Sequence, residues 1–426
     1  MRRPRLAEFA ARNKQREYFS NVKLLTFMFQ LLSMGLVLLN SRQSLNVNTL
    51  VFTGLLIGLT YLSNVLVMRY TKGDNYLIII ANMLFSIGIV MLYRINPALG
   101  QRQLLFYALG IAVFYASYYF LKYTGRFWQN KTFLFLGLSV AMLLVTLVFG
   151  RTLGGATNWI GVGNVQFQPS EFTKITFAFF IAAFYANHDF FQKKLGGSLF
   201  LMGATYLLIG IFFLQGELGT AVVFFAAMIC AMIAFDKSRL LLAANIGLAF
   251  AGLYLAYLLF DHIQVRFDIW LDPWADPDGK GYQILQSLFA IASGGLFGRG
   301  IGLGSPGSIP LAHSDFIFAS IIEEMGIFMG IAISLLYLIV FYRGLKISLA
   351  QPNRFYKVLS LVISMMFAAQ AAIVIGGVLK LIPLTGMVLP FMAHGGSSLL
   401  SSFILLGVLQ YSSIEQYPEV ELEDEE

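Results

Sequence analysis

Charged residues are scarce in this chain of 426 residues, in which Asp, Glu, Lys and Arg together make up only 12% of the sequence. Apolar residues make up 58%, 40 residues are phenylalanine, and the mean hydropathy is +0.73. Soluble domains carry roughly 25% charged residues, so the composition excludes that class. An α-helix satisfies the hydrogen bonds of its own backbone in lipid. The apolar composition therefore predicts an all-α protein that crosses a membrane many times.

Cysteine and histidine are nearly absent as well. Cys230 is the only cysteine and lies inside an apolar run, which excludes a disulfide within the chain. The chain has 4 histidines, and His394 has no second histidine or cysteine at the spacing of a zinc site. The sequence pattern therefore predicts no metal-binding residues.

Apolar runs of roughly 17 to 25 residues, the length that crosses a bilayer, recur along the chain. About twelve spans are predicted, near Lys23–Leu39, Leu50–Tyr70, Tyr76–Tyr93, Leu104–Leu121, Phe133–Phe149, Glu171–Tyr185, Ser198–Leu214, Leu218–Phe235, Leu240–Phe260, Phe316–Tyr342, Phe355–Leu379 and Ser397–Tyr411. An even number of spans places both termini on one side. The interval 261–315 is predicted as a large loop between the ninth and tenth helices.

Lysine and arginine mark one side of these spans. Most of the 29 basic residues fall on the same predicted side, beginning with the segment before the first span. Short cytoplasmic loops carry excess positive charge, so both termini are predicted to be cytoplasmic and the 261–315 loop extracytoplasmic. The net charge of +7 is explained by this asymmetry and by attraction to anionic membrane lipids, so no nucleic-acid partner is expected.

The predicted 261–315 loop contains the run LDPWADPDGKGYQ at residues 271–283, in which carboxylates alternate with turn-forming residues. Asp272, Asp276 and Asp278 are each candidates for acid–base chemistry. Asp-Pro and Asp-Gly pairs also form turns without any chemistry, and this alternative best accounts for Asp278. The residues alone leave the choice among the three carboxylates open.

Several further charged residues lie in or beside predicted spans, where a charge costs on the order of 3 kcal/mol. Glu171 and Lys174 share one helix face, where they either line a cavity or only neutralise each other. Glu217 is placed at a helix edge, where a carboxylate can reach water. Glu323 and Glu324 point about 100° apart, so at most one of them faces a given cavity squarely.

Residues at the ends of two spans have both a purely structural and a functional interpretation. Lys380 closes the eleventh span, where it either contacts a ligand or extends to lipid headgroups. His313 and Asp315 precede the tenth span, and Ser314 or Asp315 could serve there as the helix N-cap.

An ordered set of motifs resembles the SEDS family of bacterial cell-wall proteins, the RodA and FtsW type. The motifs are Gly155-Ala156-x-x-Trp159-Ile160, Phe167-Gln168-Pro169-Ser170-Glu171-x-x-Lys174, Leu218-Gly219-Thr220-Ala221, Asp276-Pro277-x-Gly279-x-Gly281-Tyr282-Gln283, His313-x-Asp315-Phe316-Ile317-Phe318, Pro383-Leu384-Thr385-Gly386, Leu389-Pro390-Phe391 and Gly395-Gly396-Ser397-Ser398. Glu217 departs from the family pattern, which has Asp there. The sequence mixes features of the elongation and division branches of this family, and the resemblance favours the RodA-like elongation branch.

The resemblance also suggests how the chain is organised. A basic cytoplasmic segment, 1–22, is followed by two additional helices in 23–75. A ten-helix core covers 76–412 and includes the catalytic loop 261–315, and an acidic cytoplasmic tail covers 413–426.

The resemblance implies an enzyme of cell-wall biogenesis, a peptidoglycan glycosyltransferase in the bacterial cytoplasmic membrane. Such an enzyme polymerises lipid II, the undecaprenyl-pyrophosphate-linked disaccharide peptide, on the outer face of the cytoplasmic membrane. The family's essential carboxylate corresponds to Asp276, expected to be the general base that takes the proton of the acceptor 4-hydroxyl in an inverting transfer. Asp272 then becomes a turn or supporting residue.

Substrate contacts are expected around this base. Arg94, Lys174 and Lys380 are expected to stabilise the departing pyrophosphate. The other expected contacts are Glu171, Gln283, His313, Asp315, Ser397 and Ser398. A divalent cation, Mg²⁺ or Mn²⁺, is left open as a cofactor.

The resemblance further implies a class B penicillin-binding protein, a transpeptidase, as the partner. Two alternatives to the polymerase remain. One is a flippase for the lipid-linked precursor, with Glu171 and Lys174 on its path. The other is a scaffold that only recruits the transpeptidase.

Overall fold

The computed structural model describes residues 3–40, 47–153, 156–162, 165–194, 196–236 and 238–414. Most of the acidic tail and Gly155 of the first motif lie outside these residues. The described helices are α1 Arg3–Asn40, α2 Val47–Tyr70, α3 Tyr76–Ile95, α4 Pro97–Trp128, α5 Thr132–Phe149, α6 Pro169–Ala186, α7 His188–Lys194, α8 Ser198–Gln215, α9 Leu218–Phe235, α10 Arg239–Leu259, α11 Asp261–Leu271, α12 Tyr282–Gly294, α13 Ile317–Ala350, α14 Arg354–Val378 and α15 Gly396–Ser412.

Ten of the described helices are long and apolar enough to cross a membrane. They are α1 from Asn21 onward, α2, α3, α4, α5, α8, α9, α10, α13 and α14. This confirms the predicted all-α polytopic membrane fold. The other two predicted spans correspond to α6, which carries Glu171 and Lys174 near its start, and to α15, which has only 17 residues. The count of twelve stays a prediction.

The centre of the bundle is formed by α3 and α14, whose side chains are mostly buried. α14 packs against α13, α9 and α6, and α15 packs against α4 and α6. Helices that are apolar all round belong in such an interior position. This packing brings the first turns of α6 and α9 beside the last turn of α14.

About half of the interval predicted as a loop, 261–315, is helical. It contains α11, α12 and two single 3-10 turns at Pro273–Ala275 and Pro306–Ser308. α12 buries Ile284, Leu285 and Ala290 on one face. These helices are too short or too polar to be found as apolar runs of membrane length. We call the end of the bundle where α11 and α12 lie the loop end.

A small antiparallel sheet lies in the segment between α5 and α6, for which the sequence indicated no strand. Its strands are β1 Arg151–Leu153, β2 Ala156–Val162 and β3 Val165–Phe167, in the order β1-β2-β3. Arg151 pairs with Trp159, and Ile160 pairs with Phe167. The sheet brings β2 close to the start of α6.

α13 is broken at Gly326, where the backbone has φ 82° and ψ 170°. This conformation is essentially restricted to glycine. The segment after α12 supplies the hydrogen bonds that the break removes. The amides of Arg299 and Gly300 donate to the Glu323 and Glu324 carbonyls at 2.9 and 3.0 Å, and the Ile327 amide donates to the carbonyl of residue 295 at 3.0 Å.

The first two helices are attached to the bundle by polar side chains. Gln30 Nε2 of α1 donates to Ser86 Oγ of α3 at 2.7 Å. Asn82 Nδ2 of α3 donates to Asn64 Oδ1 of α2 at 2.8 Å, and its own Oδ1 accepts from Tyr107 of α4. Because water does not compete inside a bilayer, such hydrogen bonds fix the contact between apolar helices.

Replacing Asn82 by leucine is expected to lower the stability of the folded protein by about 1 to 3 kcal/mol, since the buried partners on α2 and α4 lose their hydrogen bonds. Thermal unfolding of purified protein in detergent measures the effect. Asn130→Leu, an exposed position between α4 and α5, is the matched control and should unfold near the wild-type temperature. Equal midpoints for both variants would contradict the assigned role of Asn82.

Candidate functional site

A cavity of about 590 Å³ opens at the loop end of the bundle. Its walls come from β2, the starts of α6 and α9, α11, the start of α12 and the segment that follows α14. The lining includes Trp159 and Trp270 together with the polar residues Asn158, Gln168, Glu171, Glu217, Thr220, Arg266, Lys280, Gln283, Ser314, Asp315, Lys380, Thr385, His394 and Ser398. Concave sites with convergent polar groups are the usual places of ligand binding.

One wall of the cavity is built around Glu217, which lies in the turn between α8 and α9. The sequence interpretation placed this carboxylate in water, but it is only 6% exposed. Its Oε1 accepts hydrogen bonds from Asn158 Nδ2, from Gln168 Nε2 at 2.7 Å and from Ser170 Oγ at 3.1 Å. Burial raises the pKa of the carboxyl, although these three donors oppose the shift.

The floor beside this wall carries the ion pair predicted within α6. Lys174 Nζ lies 2.7 Å from Glu171 Oε2, and both side chains are buried. Ser401 Oγ donates to the same carboxylate oxygen at 2.8 Å, and Lys174 Nζ also donates to Gln370 Oε1 at 2.9 Å. Glu171 lines the cavity, whereas Lys174 is absent from its lining. Lys174 therefore neutralises the Glu171 carboxylate from outside the cavity lining.

Two further residues of opposite charge, Arg266 and Asp315, line the cavity beside Gly386 without an ion pair between them. Arg266 Nη1 donates to the Thr385 carbonyl at 3.0 Å. Burial lowers the pKa of the Arg266 guanidinium, and Asp315 opposes that shift. Burial likewise raises the pKa of Asp315, against the opposing effects of Ser314 and Arg266. The sequence indicated Asp315 as an expected substrate contact and did not indicate Arg266.

Two lysines approach the cavity from the side of α11 and α12. Lys380 has φ 58°, a left-handed conformation that is uncommon for a residue with a side chain. Its carbonyl accepts from Trp270 Nε1 at 3.1 Å, and its Nζ lies 3.5 Å from the Leu271 carbonyl. Lys280 also lines the cavity. Strained backbone of this kind is concentrated at functional sites.

Asp276 lies next to this rim, in the exposed turn that leads into α12, and is absent from the cavity lining. Its Oδ2 accepts from the Lys280 amide at 3.0 Å, and its carbonyl accepts from the Gly281 amide at 2.9 Å. A side chain at Gly279 would collide with the Asp276 carboxylate. Asp272 caps the preceding turn by accepting from the Trp274 amide at 3.0 Å, as expected for a turn residue.

Arg94 lies away from the cavity lining. Its Nη2 donates to the Gly302 carbonyl at 2.9 Å, and its Nε lies 3.5 Å from Glu324 Oε1. Glu324 Oε2 accepts from the Gly302 amide, and Glu323 Oε1 accepts from the Ser305 amide, each at 2.9 Å. Neither glutamate lines the cavity, and both bind the backbone of the segment after α12.

The two histidines at the loop end lie side by side. The His394 amide donates to the His313 carbonyl at 2.9 Å, and their ring centroids are 6.0 Å apart. Burial lowers the pKa of both imidazoles, and for His394 the charges of His313 and Arg102 lower it further. The sequence spacing did not reveal this pair. In the described part of the chain, no three His, Cys, Asp or Glu side chains are placed to hold a metal ion.

The structure thus brings five of the predicted site residues to one cavity: Glu171, Gln283, Asp315, Lys380 and Ser398. Asp276, Lys174, His313 and Ser397 lie near the cavity but are absent from its lining, and Ser397 Oγ accepts from the Gln168 amide at 3.2 Å.

Residues 74–417 match the cell cycle protein family of FtsW, RodA and SpoVE. This match covers most of the chain. The protein belongs to the FtsW/RodA/SpoVE family. The match begins after α2, so α1 and α2 lie before the residues that the family model covers.

Relatives in the FtsW/RodA/SpoVE family include enzymes of cell-wall synthesis. The chain is 35% identical over 362 residues to peptidoglycan glycosyltransferase RodA of Mycobacterium tuberculosis, covering 79% of this chain and 77% of that protein. It is 33% identical over 359 residues to stage V sporulation protein E of Bacillus subtilis, covering 80% and 97%.

Two solved structures share the fold. One, from a study of polymerisation and crosslinking by a peptidoglycan synthase complex, aligns with a TM-score of 0.69 at 24% identity, covering 80% of this chain and 98% of that one. The other is the crystal structure of Thermus thermophilus rod shape determining protein RodA, with a TM-score of 0.61 at 22% identity, covering 82% and 100%.

Proposed function

We propose that this protein is a peptidoglycan glycosyltransferase that polymerises lipid II into glycan strands. The observation that carries the proposal is the cavity at the loop end, where three cationic side chains meet a polar wall and an exposed carboxylate lies on the adjoining turn. Lys280, Lys380 and Arg266 line the cavity, and Asp276 accepts from the Lys280 amide. The same reaction class is supported by relatives that are 31 to 35% identical to this chain. Their names are peptidoglycan glycosyltransferase RodA and probable peptidoglycan glycosyltransferase FtsW.

In the proposed reaction, Asp276 acts as the general base. Its Oδ2 is held by the Lys280 amide, and its Oδ1 has no hydrogen bond to the described residues. Asp276 takes the proton of the acceptor 4-hydroxyl while that oxygen forms a bond to the anomeric carbon of the lipid-linked donor. The bond from that carbon to the pyrophosphate oxygen breaks, and the configuration inverts.

The leaving pyrophosphate accumulates negative charge as this bond breaks. Cations that the fold holds in place around a cavity stabilise such charge more strongly than mobile ions in solution do. We assign this role to Lys380, Lys280 and Arg266 in place of Arg94 and Lys174, which are bound to Glu324 and Glu171. The described residues do not by themselves fit a resident Mg²⁺ or Mn²⁺ ion, so no step is assigned to one.

We further propose that the loop end faces outward from the bacterial cytoplasmic membrane and that both termini are cytoplasmic. A class B penicillin-binding protein is the proposed partner, because the chain shares its fold with a protein from the study of a peptidoglycan synthase complex. This orientation places the cavity on the side where glycan strands are assembled.

Purified protein in detergent, supplied with lipid II and its transpeptidase partner, tests the function. Detergent removes the two compartments, so a flippase or a scaffold without activity would leave lipid II unpolymerised. A polymerase yields glycan strands that gel electrophoresis resolves by length. Absence of strands with folded protein and partner would overturn the proposed activity.

The orientation has a separate test in intact cells. A cysteine at Lys280, in a Cys230→Ser background, is expected to react with a membrane-impermeant maleimide added from outside, because Lys280 is exposed at the loop end. A cysteine at exposed Lys346, near the end of α13, is the matched control and should react only after lysis. The reverse labelling pattern would invert the proposed topology.

A further inference from the structure

The wall of the cavity around Glu217 plays no part in the proposed chemistry at Asp276. Four buried polar atoms of cavity-lining residues have no hydrogen-bond partner within the described residues. They are Glu217 Oε2, Asn158 Oδ1, Ser398 Oγ and His394 Nδ1. An unpaired buried polar atom costs about 1 to 3 kcal/mol, so four of them around one cavity point to a ligand that supplies the partners.

Two of these atoms belong to side chains in direct contact. Asn158 Nδ2 donates to Glu217 Oε1, so the amide oxygen of Asn158 and the second carboxyl oxygen of Glu217 remain for a ligand. Gln168 and Ser170 donate to the same Oε1 and hold the carboxyl in one orientation. The first oxygen is therefore saturated by donors, and the second is the one that can bind a ligand.

Glu217 is buried and forms no ion pair with the described residues, and an unpaired buried carboxyl favours its neutral, protonated form. Burial raises the pKa of Glu217, the hydrogen bonds from Asn158, Ser170 and Gln168 lower it, and the nearby Glu171 raises it by a smaller effect. Because Oε1 already accepts from three donors, the acid proton belongs on Oε2. Glu217 then offers a hydroxyl donor, and Asn158 offers a carbonyl acceptor beside it.

We propose that Glu217 and Asn158 form a subsite for a secondary amide, the acetamido group of an amino sugar in the substrate. The carbonyl of that group accepts from Glu217 Oε2, and its N–H donates to Asn158 Oδ1. This inference rests on the proposed function, because lipid II is the source of the amino sugar. It assigns Glu217 to substrate recognition and keeps the proton transfer at Asp276.

The Glu217→Gln variant distinguishes two roles for Glu217. One is a neutral hydrogen-bond donor, and the other is a negatively charged carboxylate that acts as a base or binds a cation. Glutamine keeps an oxygen for the three donors and places an NH₂ group where the acid hydroxyl stood. Polymerisation of lipid II by this variant is expected to fall by about three- to tenfold, because an amide N–H donates a weaker hydrogen bond to the substrate than an acid hydroxyl does. A loss of more than about a hundredfold by a folded variant would instead mean that the negative charge of Glu217 is required, and would overturn the proposal.

Recognition of the acetamido group is tested by changing first the ligand and then the protein. The probe is the soluble N-acetylglucosamine–N-acetylmuramic acid disaccharide, compared with an analogue in which each acetamido group is a hydroxyl. Binding to full-length protein in detergent is followed by tryptophan fluorescence, because Trp159 and Trp270 line the cavity. Wild type is expected to prefer the acetamido form by at least about tenfold, since a site built to pair a polar group rejects the analogue that lacks it.

Asn158→Ala, in which the acceptor oxygen is removed, is expected to reduce this preference to about threefold or less, while Glu217→Gln is expected to keep it. An undiminished preference in Asn158→Ala, or no preference in wild type, would overturn the subsite. The binding measurement does not depend on turnover, so a protein that binds with this preference but forms no glycan would contradict the proposed polymerase and leave the subsite supported.

Discussion

Asp276→Asn is expected to lower the rate of glycan polymerisation by about 10²- to 10⁴-fold, the usual contribution of a positioned general base. Asparagine keeps an oxygen that can accept from the Lys280 amide, as Asp276 Oδ2 does at 3.0 Å, so the turn before α12 should keep its shape. The amide group cannot take up a proton from the acceptor hydroxyl. The variant should therefore fold normally and still bind substrate.

The measurement is the initial rate of lipid II consumption by purified protein with its transpeptidase partner in detergent. Asp278→Asn is the matched control, because Asp278 is exposed in the same turn and has no assigned role. It should retain at least about half of the wild-type rate, as surface substitutions usually do. Comparable rates for the two variants would remove Asp276 from the reaction and return the choice to the other carboxylates of this segment.

The second large effect concerns stability. Lys174→Met is expected to cost about 3 to 5 kcal/mol, because Glu171 would be left as an unpaired charge in a buried position. Ser401 still donates to that carboxylate, but a hydroxyl does not replace the ammonium 2.7 Å away. The unfolding midpoint of the purified protein should fall sharply.

The double variant Glu171→Gln/Lys174→Met removes both charges and should recover most of the lost stability. Thermal unfolding in the same detergent compares wild type, the single variant and the double variant. If Lys174→Met unfolds at the wild-type temperature, the pair contributes nothing to the fold. A double variant as unstable as the single one would show that Lys174 acts mainly through another contact, such as Gln370.

The membrane helices were predictable because hydrocarbon imposes one strong pattern on a sequence. The span predicted at Leu218–Phe235 has the same bounds as α9, and Tyr76–Tyr93 lies within α3. The prediction Leu104–Leu121 captured only the middle of α4, which begins at Pro97 and ends at Trp128. Its first turn is defined by Asn96, which caps the Ala98 amide at 2.9 Å, and hydropathy does not record capping.

The candidate site was less predictable because its contacts join distant parts of the chain. Arg266 reaches Thr385, which is 119 residues away, and Gln168 reaches Glu217 across 49 residues. The motifs contain fewer than half of the residues that line the cavity, and they could not show which cation is already bound to a protein carboxylate. Arg94 was expected at the pyrophosphate, and the structure pairs it with Glu324.

The break at Gly326 divides α13 so that the carboxylates of Glu323 and Glu324 lie in its shorter part. The part of α13 after the break, 327–350, has about 24 residues and is about 36 Å long, which alone exceeds the hydrocarbon thickness of about 30 Å. The nine residues before the break are not needed to reach that length, and they are hydrogen-bonded to the segment that follows α12. Glu323 and Glu324 both precede the break, and the part of α13 that is long enough by itself to span the hydrocarbon contains no carboxylate.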